Sequence, residues 1–235
     1  MVIKSGRTDL ANSVSKYCLL TAVSLVAFTS NTLAHPHVYS DLRSDIVLDD
    51  QGRAIALNIE WIFDAGYTEA AIEGMDADND GVYTPAELHP VATENINALK
   101  EYTYFVKAKS GNTNVTYSDV TEYGQRLNDD GRLAMTFVIP FATPVDLKSA
   151  EFSYKVYDPD FFIAYDYIKG ETVGVIGTMP QGCSVNLGTV QFDEQVQQTQ
   201  QMLADKPADW QPEQPQDFGS LFAQPVTVSC KPAGS

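Results

Sequence analysis

The segment Val38-Tyr39-Ser40-Asp41-Leu42-Arg43-Ser44-Asp45-Ile46-Val47, then Asp49-Asp50-Gln51-Gly52, then Arg53-Ala54-Ile55-Ala56-Leu57-Asn58-Ile59-Glu60-Trp61-Ile62-Phe63 decides the fold. β-branched and aromatic residues bracket a polar, glycine-ended turn, which predicts a hairpin. The signature returns further along. Tyr104 to Lys109, Val115 to Tyr123 and Leu133 to Ile139 are separated by Ser110-Gly111-Asn112 and by Asn128-Asp129-Asp130-Gly131. Ala150 to Tyr157 and Phe161 to Ile168 follow, with Val173 to Gly177 as a further candidate. Short strands at this spacing predict a mainly β chain with an α insertion, an antiparallel Ig-like β-sandwich carrying a helix–loop–helix at about 66–103.

Inside that insertion, Asp76-Ala77-Asp78-Asn79-Asp80-Gly81-Val82-Tyr83-Thr84-Pro85-Ala86-Glu87 fits the twelve-residue EF-hand calcium loop at its coordinating positions. Calcium takes six to eight hard oxygens, so several carboxylates must converge from one tight turn. Asp76, Asp78 and Asp80 supply three, Val82 its carbonyl, Thr84 a hydroxyl or water-mediated contact, and Glu87 both carboxylate oxygens. Gly81 permits the sharp turn between them. Thr84-Pro85-Ala86-Glu87 is also a helix start, with Thr as N-cap, Pro at N1 and Glu at N3. Leu88, Val91, Ala92, Ile96 and Leu99 give the exiting helix an apolar face, whereas Thr68 to Gly74 is a short entering one. The alternative is an acidic turn that holds no metal. Sensor hands come in pairs and open a Met-rich groove, so a lone loop predicts a structural calcium site.

At the N-terminus, Lys4, Arg7 and Lys16 precede an apolar run from Tyr17 to Phe28 and then Thr32-Leu33-Ala34. This predicts a secretory signal over 1–34, cleaved before His35, and a single periplasmic domain over 35–235 with no membrane insertion after cleavage. An uncleaved anchor helix is the alternative. Cleavage leaves 12 basic and 30 acidic residues, a formal charge of −18. That balance argues against nucleic-acid partners and suits either cation attraction or solubility. Cys18 leaves with the signal, and Cys183 and Cys230 remain as an even pair in an oxidising compartment, predicting a disulfide that closes 183–230. Between them lie a predicted amphipathic helix, Phe192 to Leu203, and a Pro- and Gln-containing loop, Lys206 to Gln216; Val226 to Val228 is a predicted last strand.

Cleavage would expose His35-Pro36-His37. A free N-terminal histidine offers an amine and an imidazole, and His37 adds a third nitrogen, ligands that suit zinc, copper, nickel or cobalt better than calcium. Pro36 has no amide hydrogen to lose, which blocks a chelate built from successive deprotonated amides. The remaining histidine, His89, could join the site or lie on a helix surface. A solvated terminus is the alternative for His35 and His37.

His35-Pro36-His37-Val38-Tyr39, Trp61-Ile62-Phe63-Asp64, the acidic loop and Tyr157-Asp158-Pro159-Asp160-Phe161-Phe162 together resemble the bacterial family catalogued as domain of unknown function 1007. The resemblance spans the chain after Ala34, including Cys183 and Cys230. It implies a periplasmic component of an uncharacterised ABC-type transport system, linked with metal permeases, and hence transition-metal handling. It implies His35 and His37 as ligands, with Asp64 and Asp158 as oxygen donors. Against these last two, Asp64 also ends a strand and Asp158-Pro159 is ordinary turn chemistry.

Three functions compete. The first is a metal-handling accessory for an inner-membrane metal permease or ABC transporter. The second is a calcium-stabilised structural or adhesion module. The third is a histidine-brace copper enzyme, for which only His89 could supply the distant histidine. No Ser/His/Asp set, Cys/His pair or phosphate-binding glycine loop is present, so no enzyme activity is expected.

Overall fold

A computed structural model describes residues 36–170, 173–207, 210 and 216–231. The predicted hairpin forms as β1 (Val38–Leu48) and β2 (Ala54–Phe63), paired antiparallel from Ser40↔Phe63 to Leu48↔Ala54. Its turn is locked by Asp49, whose carboxylate accepts from Gln51 N and Arg53 N, both at 2.9 Å. Along β1, Leu42 and Ile46 are fully buried while Asp41, Arg43 and Asp45 face outward, the period of two that a half-buried strand requires.

After β2 come helices α1 (Ala65–Ile72) and α2 (Pro85–Glu101). Strands β3 (Val106–Ser110), β4 (Thr113–Asn114), β5 (Glu122–Leu127), β6 (Leu133–Val145), β7 (Phe152–Val156), β8 (Ile163–Tyr167), β9 (Gly174–Ile176) and β10 (Cys183–Leu187) follow. Helices α3 (Glu194–Ala204) and α4 (Gly219–Phe222) and strand β11 (Val226–Cys230) complete the chain. One sheet runs β5-β6-β2-β1-β8, with β9 also on β1; the other runs β10-β11-β7-β3-β4. The protein is thus mainly β, with two sheets and few helices.

A single apolar cluster draws on both sheets, uniting Leu42, Ile59 and Trp61 of the first with Val106, Phe152 and Tyr154 of the second. Buried Ser44 on β1 ties them, lying 2.7 Å from the Tyr154 hydroxyl in the second sheet and 2.9 Å from that of Tyr167 on β8. Leu88, Ala92 and Ile96 are the buried stripe of α2.

Four expectations are corrected. The first sheet is mixed, because β8 and β9 each run parallel to β1. Val115 to Tyr123 is not a strand: the chain leaves β4 and crosses toward the first sheet, where Tyr117 makes an isolated bridge to Phe141, and β5 starts only at Glu122. Tyr104 and Phe105 do not open β3. Thr103, Tyr104 and Phe105 form a left-handed turn with φ of 55°, 54° and 55°, a conformation costing about 1–2 kcal/mol per L-residue. Burial of Tyr104 and Phe105, and the bond from Tyr157 N to Phe105 O (2.8 Å), hold it. Finally, β10 and α4 lie in stretches for which no element was expected.

Candidate metal site

Two backbone devices shape the loop between α1 and α2. Asn79 (φ 59°) and Gly81 (φ 81°) turn left-handed, curling the chain so that its carboxylates face inward. One ligand oxygen from each of Asp76, Asp78 and Asp80 then lies within 4.8 Å of the other two. The loop's own amides hold the curl: Asp76 accepts from Asp80 N (3.1 Å) and Gly81 N (2.9 Å), and Asp80 accepts from Val82 N (2.7 Å).

Glu87 closes the ring. Its Oε1 accepts from Ala77 N across the loop at 2.9 Å, and its Oε2 from Thr84 N at 2.9 Å. Thr84 Oγ1 in turn accepts from Glu87 N at 3.3 Å, completing the reciprocal capping box that opens α2. The Thr84 amide, then its hydroxyl and the Ala77 amide, hold the Glu87 carboxyl below the usual carboxylate range. Val82 is exposed. The arrangement therefore gathers carboxyl oxygens at the surface, a donor set suited to a hard cation.

The second group of predicted ligands is less concentrated. His35 lies outside the described residues. His37 enters β1, its amide donating to Phe162 O at 2.9 Å and its ring standing 4.8 Å from that of Phe162. Asp64 is the N-cap of α1: Oδ1 accepts from Tyr67 N and Oδ2 from Tyr39 N, each at 2.8 Å. Asp158 is buried, and its carboxylate gathers the amides of Asp160, Phe162 and Ile163 at 3.1 Å, fixing the turn that leads into β8. Burial pushes the Asp158 carboxyl up, against the pull of those amides. His37, Asp64 and Asp158 thus frame one corner, where β1 begins, β2 ends and β8 begins.

His89 is elsewhere. Its ring stacks on Tyr123 of β5 at 5.5 Å and 6°. Register carries Tyr123 through Phe137 and Ile59 to Ser44, three strands across and well along β1 from His37. At about 4.8 Å per strand and about 3.3 Å per residue, the two histidines stand roughly 20 Å apart or more. Among the described residues, Asp76, Asp78 and Asp80 are the group of three or more potential ligand side chains that converges; His37, His89, Asp64 and Asp158 form no second one.

A model of proteins of unknown function, DUF1007, matches residues 20–230. The chain belongs to the DUF1007 family. An uncharacterized protein from Haemophilus influenzae is 25% identical to this DUF1007 chain over 202 residues, covering 85% of it and 92% of the relative. The described part of this family member contains no helix long and apolar enough to cross a membrane. The predicted Cys183–Cys230 disulfide is formed, joining β10 and β11 where those residues pair directly.

The structure also assembles features with no local signal in the sequence. Tyr165 and Trp61 pack at 4.8 Å in the core behind the His37 corner, and Tyr165 Oη and Trp61 Nε1 are buried with no hydrogen-bond partner among the described residues. Beside them, a cavity of about 410 Å³ lies between Pro36, Tyr39 and Tyr165 on one side and Leu203 and Phe222 on the other. These residues come from β1 and the segment before it, β8, α3 and α4, so only the tertiary fold brings them together.

Proposed function

We propose that this protein is a periplasmic, non-enzymatic metal-binding accessory: an Ig-like β-sandwich whose EF-hand-like helix–loop–helix holds a structural calcium ion. The observation that carries the reading is the convergence of Asp76, Asp78 and Asp80 in a loop closed on itself by Glu87. A carboxylate cage of this form suits calcium by ligand hardness and number. In the same reading, a cleaved N-terminus offers His35 and His37 to zinc, copper, nickel or cobalt. The metal would be handled for an inner-membrane permease or ABC-type transporter; that link rests on the family resemblance.

One observation favours a second reading, a calcium-stabilised structural or adhesion module. Asp64 and Asp158 are already engaged by backbone amides, roles that account for both residues without any metal. His89, stacked on Tyr123, gives a histidine-brace enzyme no support.

The test is metal content and calorimetric affinity for calcium, zinc, copper and nickel, on protein prepared with His35 as its first residue. The accessory reading expects Asp76→Ala to abolish calcium binding only, and His37→Ala to weaken transition-metal binding only. Transition-metal affinity unchanged in His37→Ala leaves the structural module. Calcium binding retained in Asp76→Ala overturns the loop assignment.

A further inference from the structure

The two sheets carry opposite chemistry on their outer faces. On the first, acids and bases interlock: Glu60 lies between Arg43 (2.9 Å) and Arg126 (2.6 Å), and Asp41 pairs with Arg132 at 2.8 Å. On the second, the outward positions of β10, β11, β7, β3 and β4 are Ser184, Asn186, Thr227, Ser229, Ser153, Lys155, Lys107, Lys109 and Asn114. None of these strand positions is acidic, in a chain of net charge −16.

Three lysines on that face are packed together at a cost. Lys107 and Lys155 stand directly opposite across the β3–β7 ladder, and Lys109 lies two residues along on the same face. Like charges in direct cross-strand register destabilise a sheet. Carboxylates offset them only in part. Lys107 Nζ donates to the Thr103 hydroxyl at 2.6 Å and Lys155 Nζ to Ser220 O at 2.8 Å, both neutral oxygens. Asp217 acts on Lys155 from the margin, its carboxylate accepting from the Tyr157 hydroxyl. Asp119 pairs with Lys100, and exposed Glu151 precedes β7.

A groove of about 610 Å³ runs along the β3 edge, lined by Lys100, Lys107, Lys109, Asn114 and Thr116 and also by the carboxylates Asp119, already paired with Lys100, and Asp217. Its end wall is the left-handed turn at Thr103 and Tyr104. A like-charge pair and consecutive left-handed residues are separate departures from local preference. Lys107 of the pair and Thr103 and Tyr104 of the turn line one groove, with Lys155 outside it on β7, and departures of this kind collect at functional sites.

We propose that this groove binds a small oxyanion of two or more negative charges, through the ammonium groups of Lys107 and Lys109 with Lys100 at the rim. Phosphate or carboxylate oxygens would replace the missing counter-charge, and Asn114 and Thr116 would donate alongside. The ligand is small rather than polymeric, because the net negative field of the chain repels an extended polyanion beyond the groove itself.

The test is calorimetric titration of the full chain from which the signal has been removed, stripped of metal with EDTA and exchanged into metal-free buffer, with pyrophosphate and with citrate as probes. Saturable binding of at least one probe is expected, weakening as ionic strength rises. Lys107→Ala/Lys109→Ala should lose roughly tenfold or more in affinity, since it removes charge-assisted hydrogen bonds. Lys169→Ala, an exposed lysine on the connection after β8, should stay within about twofold. The melting temperature adds a second readout: the probe should raise it in the parent and not in the double variant. Failure of both probes to saturate overturns the proposal. So does equal weakening by Lys169→Ala, which would make the effect one of net charge.

Discussion

If the loop between α1 and α2 holds calcium, Asp76→Ala has two separable consequences. Without calcium it removes the acceptor for Gly81 N and one of two acceptors for Asp80 N, which keeps Asp78 Oδ1 at 3.2 Å. The Gly81 N bond is exposed and worth about 0.5 kcal/mol, and thinning three crowded carboxylates works the other way, so the variant loses at most about 0.5 kcal/mol, or roughly 1–2 °C in a domain of this size. With calcium the difference grows. Lone extracellular sites bind at about 10⁻⁴–10⁻³ M, so 10 mM calcium lies at roughly 10–100 times the dissociation constant and stabilises by about 1.4–2.7 kcal/mol. The parent should therefore gain roughly 3–11 °C on calcium addition and the variant nothing. Leu88, Ala92 and Ile96 anchor α2 in the core, so ordering the loop is felt in global unfolding. Differential scanning calorimetry with calcium, against magnesium as the control, reads both consequences. The pH dependence has a defined sign. The Glu87 carboxyl is held below its ordinary value of 4.5, so its contribution is present above that pH and fades as pH falls through the lowered folded value. Calcium stabilisation should fade in the same acid direction, because the ligands must be ionised. A calcium shift that survives Asp76→Ala, or none in the parent, refutes the reasoning.

Two further outcomes follow from the described contacts. Replacing both cysteines, Cys183→Ser/Cys230→Ser, opens a closure of sequence separation 47; loop entropy puts the loss at up to about 4 kcal/mol, and denaturant titration should show a lower midpoint, whereas a change under about 1 kcal/mol would mean that the β10–β11 ladder suffices. Asp64→Ala removes the α1 cap and the tie to Tyr39 N, a loss of about 2 kcal/mol. Asp64→Ser should recover the cap alone, and an Asp64 variant that changes metal affinity without changing stability would restore it as a ligand.

What could be read in the sequence was local. The Asp49 turn, the Thr84–Glu87 capping box and the curl at Gly81 each rest on residues a few positions apart, whose side chains bond their own backbone. The cysteine pairing was legible on the expectation that Cys18 leaves with a signal, because the two remaining cysteines then have one connectivity. Partner choice was not. Strand periodicity says which face is buried and nothing about which strand lies alongside, so the parallel pairing of β8 and β9 with β1 had no signal. Asp64 shows the same limit at the site: its carboxylate is ambiguous until Tyr39 N, 25 residues away, is seen donating to it. The left-handed Thr103–Phe105 was hidden for a different reason. Threonine, tyrosine and phenylalanine favour strands, and it takes the burial of Tyr104 and Phe105 together with the distant Tyr157 N bond to Phe105 O to override that preference.

Helix α2 joins the two proposed sites and bears on both. Its first turn carries Glu87 of the acidic loop, and its last carries Lys100 at the rim of the lysine groove. The macrodipole works against each ligand: about half a positive charge at the N-terminus opposes a cation, and about half a negative charge at the C-terminus opposes an anion. Glu87 and Lys100 have the signs that offset those ends, and each also stabilises the bare helix. Neither residue alone therefore argues for a ligand. Helix stability does not require Asp76, Asp78 and Asp80 to crowd within 4.8 Å of one another beyond one end, or Lys107 to face Lys155 beyond the other. Like charges in each cluster repel, and an ion of the opposite sign would relieve each.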